Sequence, residues 1–118
     1  MQTIYPYLLY DDAAAAIDFL TRAFGFEETM RMDDDGRVMH AQLKLGDGAV
    51  MLGQPQRPVD GGAMVYVYVN GVDAHFERAR AAGATIEHDP RDEEYGERVY
   101  AAQDTQGHHW YFAEKRNG

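Results

Sequence analysis

The feature that most constrains this chain is an order of elements that occurs twice. Residues 3 to 10 (TIYPYLLY) read as a strand, and Asp11-Asp12 then offer N-caps to a helix. In that helix Ala13, Ala16, Ile17, Leu20 and Phe24 recur at helical spacing, and Gly25 closes it in the position that favours a left-handed backbone. Strands are predicted at 26 to 32, 37 to 45 and 49 to 52, separated by Asp33-Asp34-Asp35-Gly36 and Gly46-Asp47-Gly48. The segment 54 to 62 (QPQRPVDGG) holds two prolines and two glycines with almost no core-forming residue, and reads as a linker. After it the order returns. A strand is predicted from Met64 to Val69, then a helix capped by Asn70-Gly71 with Val72, Phe76 and Ala79 as its apolar stripe and Ala82-Gly83 as its end. A short strand at 84 to 88, an acidic loop at 89 to 97, a strand at 98 to 103, a turn from Asp104 to Gly107 and an aromatic strand at 108 to 113 complete it.

The repeat can be tested by offset. Phe24-Gly25 falls on Ala82-Gly83, and Tyr10 on Tyr68, at a spacing of 58. Ala41-Gln42 falls on Ala102-Gln103, and Gly46 on Gly107, at a spacing of 61. A longer loop between helix and third strand in the second half absorbs the difference. The expected fold is therefore α+β, with two tandem βαβββ modules at 1–53 and 63–118 joined by the linker 54–62. Together these form one domain, 1–118. A chain of 118 residues with 45% hydrophobic residues suits that size.

The function classes open to it are bounded by charge and by what is missing. A formal charge of -9 repels phosphate backbones and anionic lipid, so neither nucleic acid nor a membrane surface is an expected partner. The chain has no cysteine, which excludes disulfides, thiolate metal sites and cysteine nucleophiles. The start, MQTIYPYLLYDD, lacks the basic region of a signal peptide, and no stretch approaches the length of a membrane span; a cytoplasmic protein is expected. No nucleophile elbow, phosphate-cradling glycine loop or dinucleotide fingerprint is present. Gly46-Asp47-Gly48 opens a strand rather than a helix, so it offers phosphate no helix N-terminus.

Several segments in this order resemble the vicinal oxygen chelate superfamily, the group of glyoxalase I, bleomycin-resistance proteins and extradiol dioxygenases. In the first half they are Ala16-Ile17-Asp18-Phe19 leading to Phe24-Gly25-Phe26, Gly36-Arg37-Val38-Met39-His40-Ala41, and Leu45-Gly46-Asp47. In the second half they are Val69-Asn70-Gly71-Val72-Asp73-Ala74, Ala81-Ala82-Gly83-Ala84, Tyr95-Gly96-Glu97-Arg98, and Asp104-Thr105-Gln106-Gly107-His108-His109-Trp110. Thr105 stands where the superfamily usually has proline, a departure in turn chemistry that should leave the fold unchanged. The resemblance implies a curved mixed sheet around a cleft, helices on the outer face, and usually a homodimer, with exchange of modules through 54–62 as one possibility.

Strand alternation then assigns faces within the implied cleft. Tyr5, Tyr7 and Leu9 point inward from the first strand, and Val38, His40, Gln42 and Lys44 from the third. Val50 and Leu52, then Met64, Tyr66 and Tyr68, then His109 and Tyr111 follow, with Ala101 and Gln103 completing the wall. Met39, Ala41, Leu43, Leu45, Val65, Val67, Val69 and Trp110 face the helices. The expected ligand site is Tyr5, Tyr7, His40, Gln42, Met64, Tyr66, Tyr68, Gln103, His109 and Tyr111, of which five are tyrosines that suit a planar or aromatic molecule.

Members of the superfamily that bind metal place one ligand on each of four strands. Those positions here are Tyr5, His40, Met64 and Tyr111, and His40 alone is an ordinary ligand for a divalent ion. No Asp or Glu is expected beside His40 or His109, while His75 and His88 are expected to be exposed helix and strand-edge residues. His108 and His109 point to opposite faces. No metal and no cofactor is therefore expected. His40 is a hydrogen-bonded wall residue with a general-base role as the runner-up. The acidic residues of 87–97 are a solvated surface, with the edge of a cation-attracting lid as the alternative. The expected function is a metal-free protein that binds an antibiotic or metabolite of aromatic or cationic character. The alternative is a lyase, isomerase or dioxygenase that uses Zn, Ni, Fe or Mn.

Overall fold

The computed structural model describes residues 2–55 and 63–116. The chain divides into two compact units, Met1–Gly61 and Gly62–Gly118. Residues 56–62 of the expected linker lie outside the described residues. Each unit is an α+β layer of one helix on a four-stranded mixed sheet, so the doubled βαβββ order is what the chain adopts.

In the first unit the elements are β1 (Tyr7–Leu9), α1 (Ala13–Phe24), β2 (Glu27–Asp34), β3 (Arg37–Leu45) and β4 (Gly48–Gly53). The strand order is β1-β4-β3-β2, with β1 parallel to β4 and the other pairs antiparallel. Asp12 caps α1 through its Oδ1, which accepts from the Ala15 N–H at 3.0 Å. Gly25 ends the helix in the left-handed region at φ 85°. Ala16, Ile17, Leu20, Ala23 and Phe24 form the buried stripe, with Ala41, Leu43, Val50 and Leu52 buried on the sheet. Burial of each large side chain contributes roughly 1.5–3 kcal/mol. The first strand is shorter than the expected 3–10 because Pro6 brings no N–H to the ladder and only its carbonyl is used, by Met51 N at 2.9 Å.

The second unit holds β5 (Met64–Tyr68), α2 (Val72–Ala81), β6 (Thr85–Asp92), β7 (Glu97–Gln103) and β8 (His109–Lys115), ordered β5-β8-β7-β6. Trp110, Phe112 and Tyr100 form a run of stacked rings on its buried face. Trp110 and Phe112 centroids are 6.1 Å apart, and Phe112 and Tyr100 centroids 5.3 Å apart. Asp104 fixes the turn before β8 by accepting from Gln106 N, His108 N and Trp110 Nε1 at 3.0 to 3.1 Å. Thr105 sits inside this turn. The N-terminus of α2 has no side-chain cap from its own Gly71. The Glu114 carboxylate on β8 instead accepts from Gly71 N and Val72 N at 3.0 and 3.1 Å, bonds that hold its pKa below the usual carboxylate range.

Two of the expectations for this unit change at the level of the fold. The acidic stretch 89–97 is not one loop, since β6 runs on to Asp92 and β7 starts at Glu97. Pro90 is tolerated there because β6 is an edge strand. His75 is not exposed. It is half-buried against Phe112 at 4.3 Å between ring centroids, and its Nδ1 lies 2.6 Å from the Tyr100 hydroxyl.

Candidate functional site: the open sheet faces

The face of each sheet opposite its helix carries the residues expected to bind. On the first unit, β1 sets Tyr7 and Leu9 on this face and buries Leu8. Met51 pairs with both Tyr7 and Gln42, while Met30 pairs with Gln42 and Met32 with His40. Residues directly paired across strands share a face. Tyr7, Met51, His40, Gln42, Met30 and Met32 thus lie on one surface. The Tyr7 hydroxyl is 2.9 Å from His40 Nδ1, so the imidazole is held by a phenol and has no carboxylate against it among the described residues. Tyr5 precedes β1 and lines a shallow hollow of about 300 Å³ with Lys44 and the β3–β4 turn, away from His40.

The alternation rule placed four residues of this unit wrongly. Val50 and Leu52 pair with Leu43 and Ala41, so they belong to the helix face, where both are buried. Val38 and Met39 exchange roles, Val38 being 2% exposed and Met39 41%. Their exchange has a local cause. Met32 pairs with His40 and Asp33 with Val38, so one step on β2 meets two on β3, and this bulge inverts the alternation. Met39 then lines a second hollow with Tyr7, Leu9, Arg37 and Gly53.

On the second unit the open face is richer in polar contacts. Met64, Tyr66 and Tyr68 on β5 pair with His109, Tyr111 and Ala113 on β8, and Gln103 and Ala101 on β7 pair with His109 and Tyr111. All six predicted residues of this half, Met64, Tyr66, Tyr68, Gln103, His109 and Tyr111, share that surface. Tyr66 stacks on Tyr111 with centroids 6.1 Å apart and planes at 10°, and meets Tyr68 edge-on at 5.6 Å. The Tyr66 and Tyr68 hydroxyls donate to the two oxygens of Glu97, each at 2.6 Å, and Tyr95 comes within 3.4 Å of the Tyr66 hydroxyl. Burial, then the bond to Glu97, pushes the Tyr66 phenol up, while for Tyr68 the bond to Glu97 comes first. The same two bonds hold the Glu97 carboxyl below its ordinary range. Lys115 Nζ lies 5.5 Å from the centre of the Tyr68 ring.

Sequence reasoning missed the carboxylates of this face. Glu87 bonds to His109 Nδ1 at 3.1 Å and accepts from Gln103 Nε2 at 3.4 Å, so His109 does have an acidic neighbour. Ile86 pairs with Ala102 and His88 with Ala101, a second bulge that lets both Glu87 and His88 reach the open face. His88 is accordingly half-buried, with its ring 6.4 Å from that of Tyr111, and is not simply exposed. The available signal is the acidic run itself, which sequence alone presents as a solvated surface.

The superfamily's metal positions can be tested by donor chemistry. The strand orders make β4 the counterpart of β8 and β3 that of β7, so His40 on β3 and Tyr111 on β8 stand on strands that do not correspond in the two units. Tyr5 and His40 stand on the first unit, Met64 and Tyr111 on the second. A thioether, two phenols and one imidazole already held by a phenol do not fit a divalent centre. Among the described residues no three His, Asp or Glu side chains are grouped to hold an ion.

The family described as Glyoxalase/Bleomycin resistance protein/Dioxygenase superfamily matches residues 4–112. The chain belongs to this superfamily. TioX from Micromonospora sp. ML1 resembles this superfamily member with a TM-score of 0.85 and 36% identity, over 98% of this chain and 99% of that one. The uncharacterized protein Mb0911c of Mycobacterium bovis is 39% identical over 118 residues, covering 89% of this chain and 78% of the relative. Lactoylglutathione lyase from Agrobacterium tumefaciens shares the fold, with a TM-score of 0.76 at 22% identity over 97% of this chain and 94% of that one. No helix among the described residues of this superfamily member is long and apolar enough to cross a membrane.

Proposed function

We propose that this protein binds a small aromatic or cationic molecule, an antibiotic or metabolite, without a metal. The ligand rests on the tyrosine face of the second unit. One observation carries the reading: Tyr66 and Tyr68 both spend their hydroxyl hydrogens on Glu97. Their rings are thereby fixed beside a carboxylate kept ionised by the same bonds. A cation is attracted both to the ring faces and to that carboxylate, and the Lys115 ammonium beside the Tyr68 ring supplies an internal example. The stacked Tyr66–Tyr111 pair offers a planar surface for a flat ligand. The formal charge of -9 favours approach of a cation over long range.

Calorimetric titration with an acridinium-type cation and a neutral ring of the same shape tests this. The cation binds the wild type more tightly, and Glu97→Gln weakens it by about fivefold while sparing the neutral ring. Equal affinity for both rings removes the electrostatic part of the reading, and absence of binding for either removes all of it. The same reading includes a homodimer, in keeping with the superfamily's habit, which light scattering in solution tests.

The alternative, a metal-dependent lyase, isomerase or dioxygenase, is favoured by one contact, the Glu87 carboxylate against His109. Those are two donors, short of the three a catalytic ion takes from protein. Elemental analysis of protein purified without chelator separates the readings: near-stoichiometric Zn, Ni, Fe or Mn, lost on His109→Ala or His40→Ala, overturns the metal-free proposal.

A further inference from the structure

Four of the five methionines among the described residues, Met30, Met32, Met39 and Met51, lie in the first unit around a single imidazole, His40. Met32 is directly paired with His40 across β2 and β3. Met30 and Met51 are each paired with Gln42, two residues along β3 from His40, and so flank it diagonally from the strands on either side. Direct partners in such a pair have Cβ atoms about 5 Å apart and diagonal ones about 7–8 Å. Unbranched methionine side chains with three rotatable bonds span those gaps. Met39 is set apart because its Sδ already accepts from Arg37 Nη2 at 3.0 Å.

His40 has one ring nitrogen held and one left over. Tyr7 lies 2.9 Å from Nδ1, and in the tautomer in which Nδ1 donates to the phenol oxygen, Nε2 keeps its lone pair for a metal ion. No Asp or Glu bonds to His40, Met30, Met32 or Met51 among the described residues, and the strand opposite brings glycine, Gly53, next to the Tyr7 hydroxyl. Thioethers and one imidazole, with no hard oxygen anion, select a soft monovalent ion and discriminate against Zn(II) or Mg(II).

We infer that the open face of the first sheet is a site for a soft monovalent metal ion of the Cu(I) type, held by His40 Nε2, Met32 and the sulfurs of Met30 and Met51. Tyr7 is its positioning residue. The site is independent of the tyrosine face proposed above and stands or falls without it.

Copper(I), offered anaerobically as its complex with a chromophoric bathocuproine-type chelator, tests the assignment. One ion per chain transfers to the protein, with loss of chelator absorbance. Met32→Leu and His40→Asn each weaken binding by about tenfold or more, and Tyr7→Phe by about tenfold. These side chains are on the open face, and circular dichroism verifies that each variant keeps its fold. In protein carrying ¹³C-methyl methionine, Cu(I) shifts Met30, Met32 and Met51 and leaves Met39 and Met64 in place, whereas Zn(II) moves none of them. Failure of transfer, transfer unaffected by both Met32→Leu and His40→Asn, a shift centred on Met64, or an equal response to Zn(II) would each overturn the site.

Discussion

Tyr66 and Tyr68, two residues apart on one strand, donate to opposite oxygens of the same carboxylate, Glu97, at 2.6 Å each. The contact reaches from β5 to the start of β7, so it spans β8 and ties three strands of the second sheet. It also makes the tyrosines spectroscopically distinct. Both phenols ionise above the usual tyrosine range of about 10. An absorbance titration near 295 nm therefore shows two tyrosines that ionise later than ordinary ones. Glu97→Gln brings Tyr68 back towards the ordinary range, and Tyr66 less so, because burial is its first cause. The sign for stability follows, since groups with raised native values contribute fully below about pH 10 and lose that contribution as pH rises through the native values. An unchanged titration curve in Glu97→Gln removes the carboxylate as the cause.

The cap of α2 makes the opposite prediction in acid. Glu114 is held below the usual range by its bonds to Gly71 N and Val72 N. Its contribution is present above the unfolded glutamate value of about 4.3 and is lost as pH falls through the native one. Glu114→Ala lowers the thermal midpoint at pH 7, and the gap from wild type closes as the pH is lowered past 4. A gap of constant size across that range shows that the cap does not act through its charge.

Much of this architecture can be read from the residues, and the exceptions share a cause. The α1 boundaries follow from Asp12, Gly25 and the stripe between them, all local signals. The second-unit face follows from simple alternation along β5 and β8, because those strands pair without a register shift. Alternation fails where a bulge intervenes, at Val38-Met39 and at Glu87-His88, since an extra residue on one strand depends on its partner strand and leaves no local mark. The β4 residues Val50 and Leu52 show a different limit. Their own strand alternates correctly, but which of its two faces meets the helix is set by pairing with Leu43 and Ala41. Glu97 and Glu87 were legible as acids and illegible as partners, because tyrosine and histidine reach them only through the fold.

Gly53 tests the close packing beneath Tyr7. A Cβ there would lie 2.6 Å from the Met39 carbonyl oxygen and 3.0 Å from the Tyr7 hydroxyl. The first neighbour is backbone and cannot rotate away. Gly53→Ala therefore costs roughly 1–3 kcal/mol by urea denaturation, as overpacking does. It also displaces Tyr7 from His40, visible as a changed His40 ring resonance. Wild-type stability together with an unmoved resonance means that β3 and β4 can separate freely at this point.

Asp104 organises the turn that delivers His109 to the open face. It is buried and accepts two backbone N–H groups and the Trp110 indole. Removing it strands several donors away from water, at about 1–3 kcal/mol for each one left unsatisfied. Asp104→Ala is expected to lose about 3 kcal/mol or more in urea, and Asp104→Asn less, because the amide oxygen still accepts from at least one donor. Trp110→Phe deletes only the indole bond and some ring area, so it falls between wild type and Asp104→Ala. If Trp110→Phe instead proves the more damaging, ring packing on Phe112 rather than the turn dominates here, and the order of the three variants in one denaturation series decides between them.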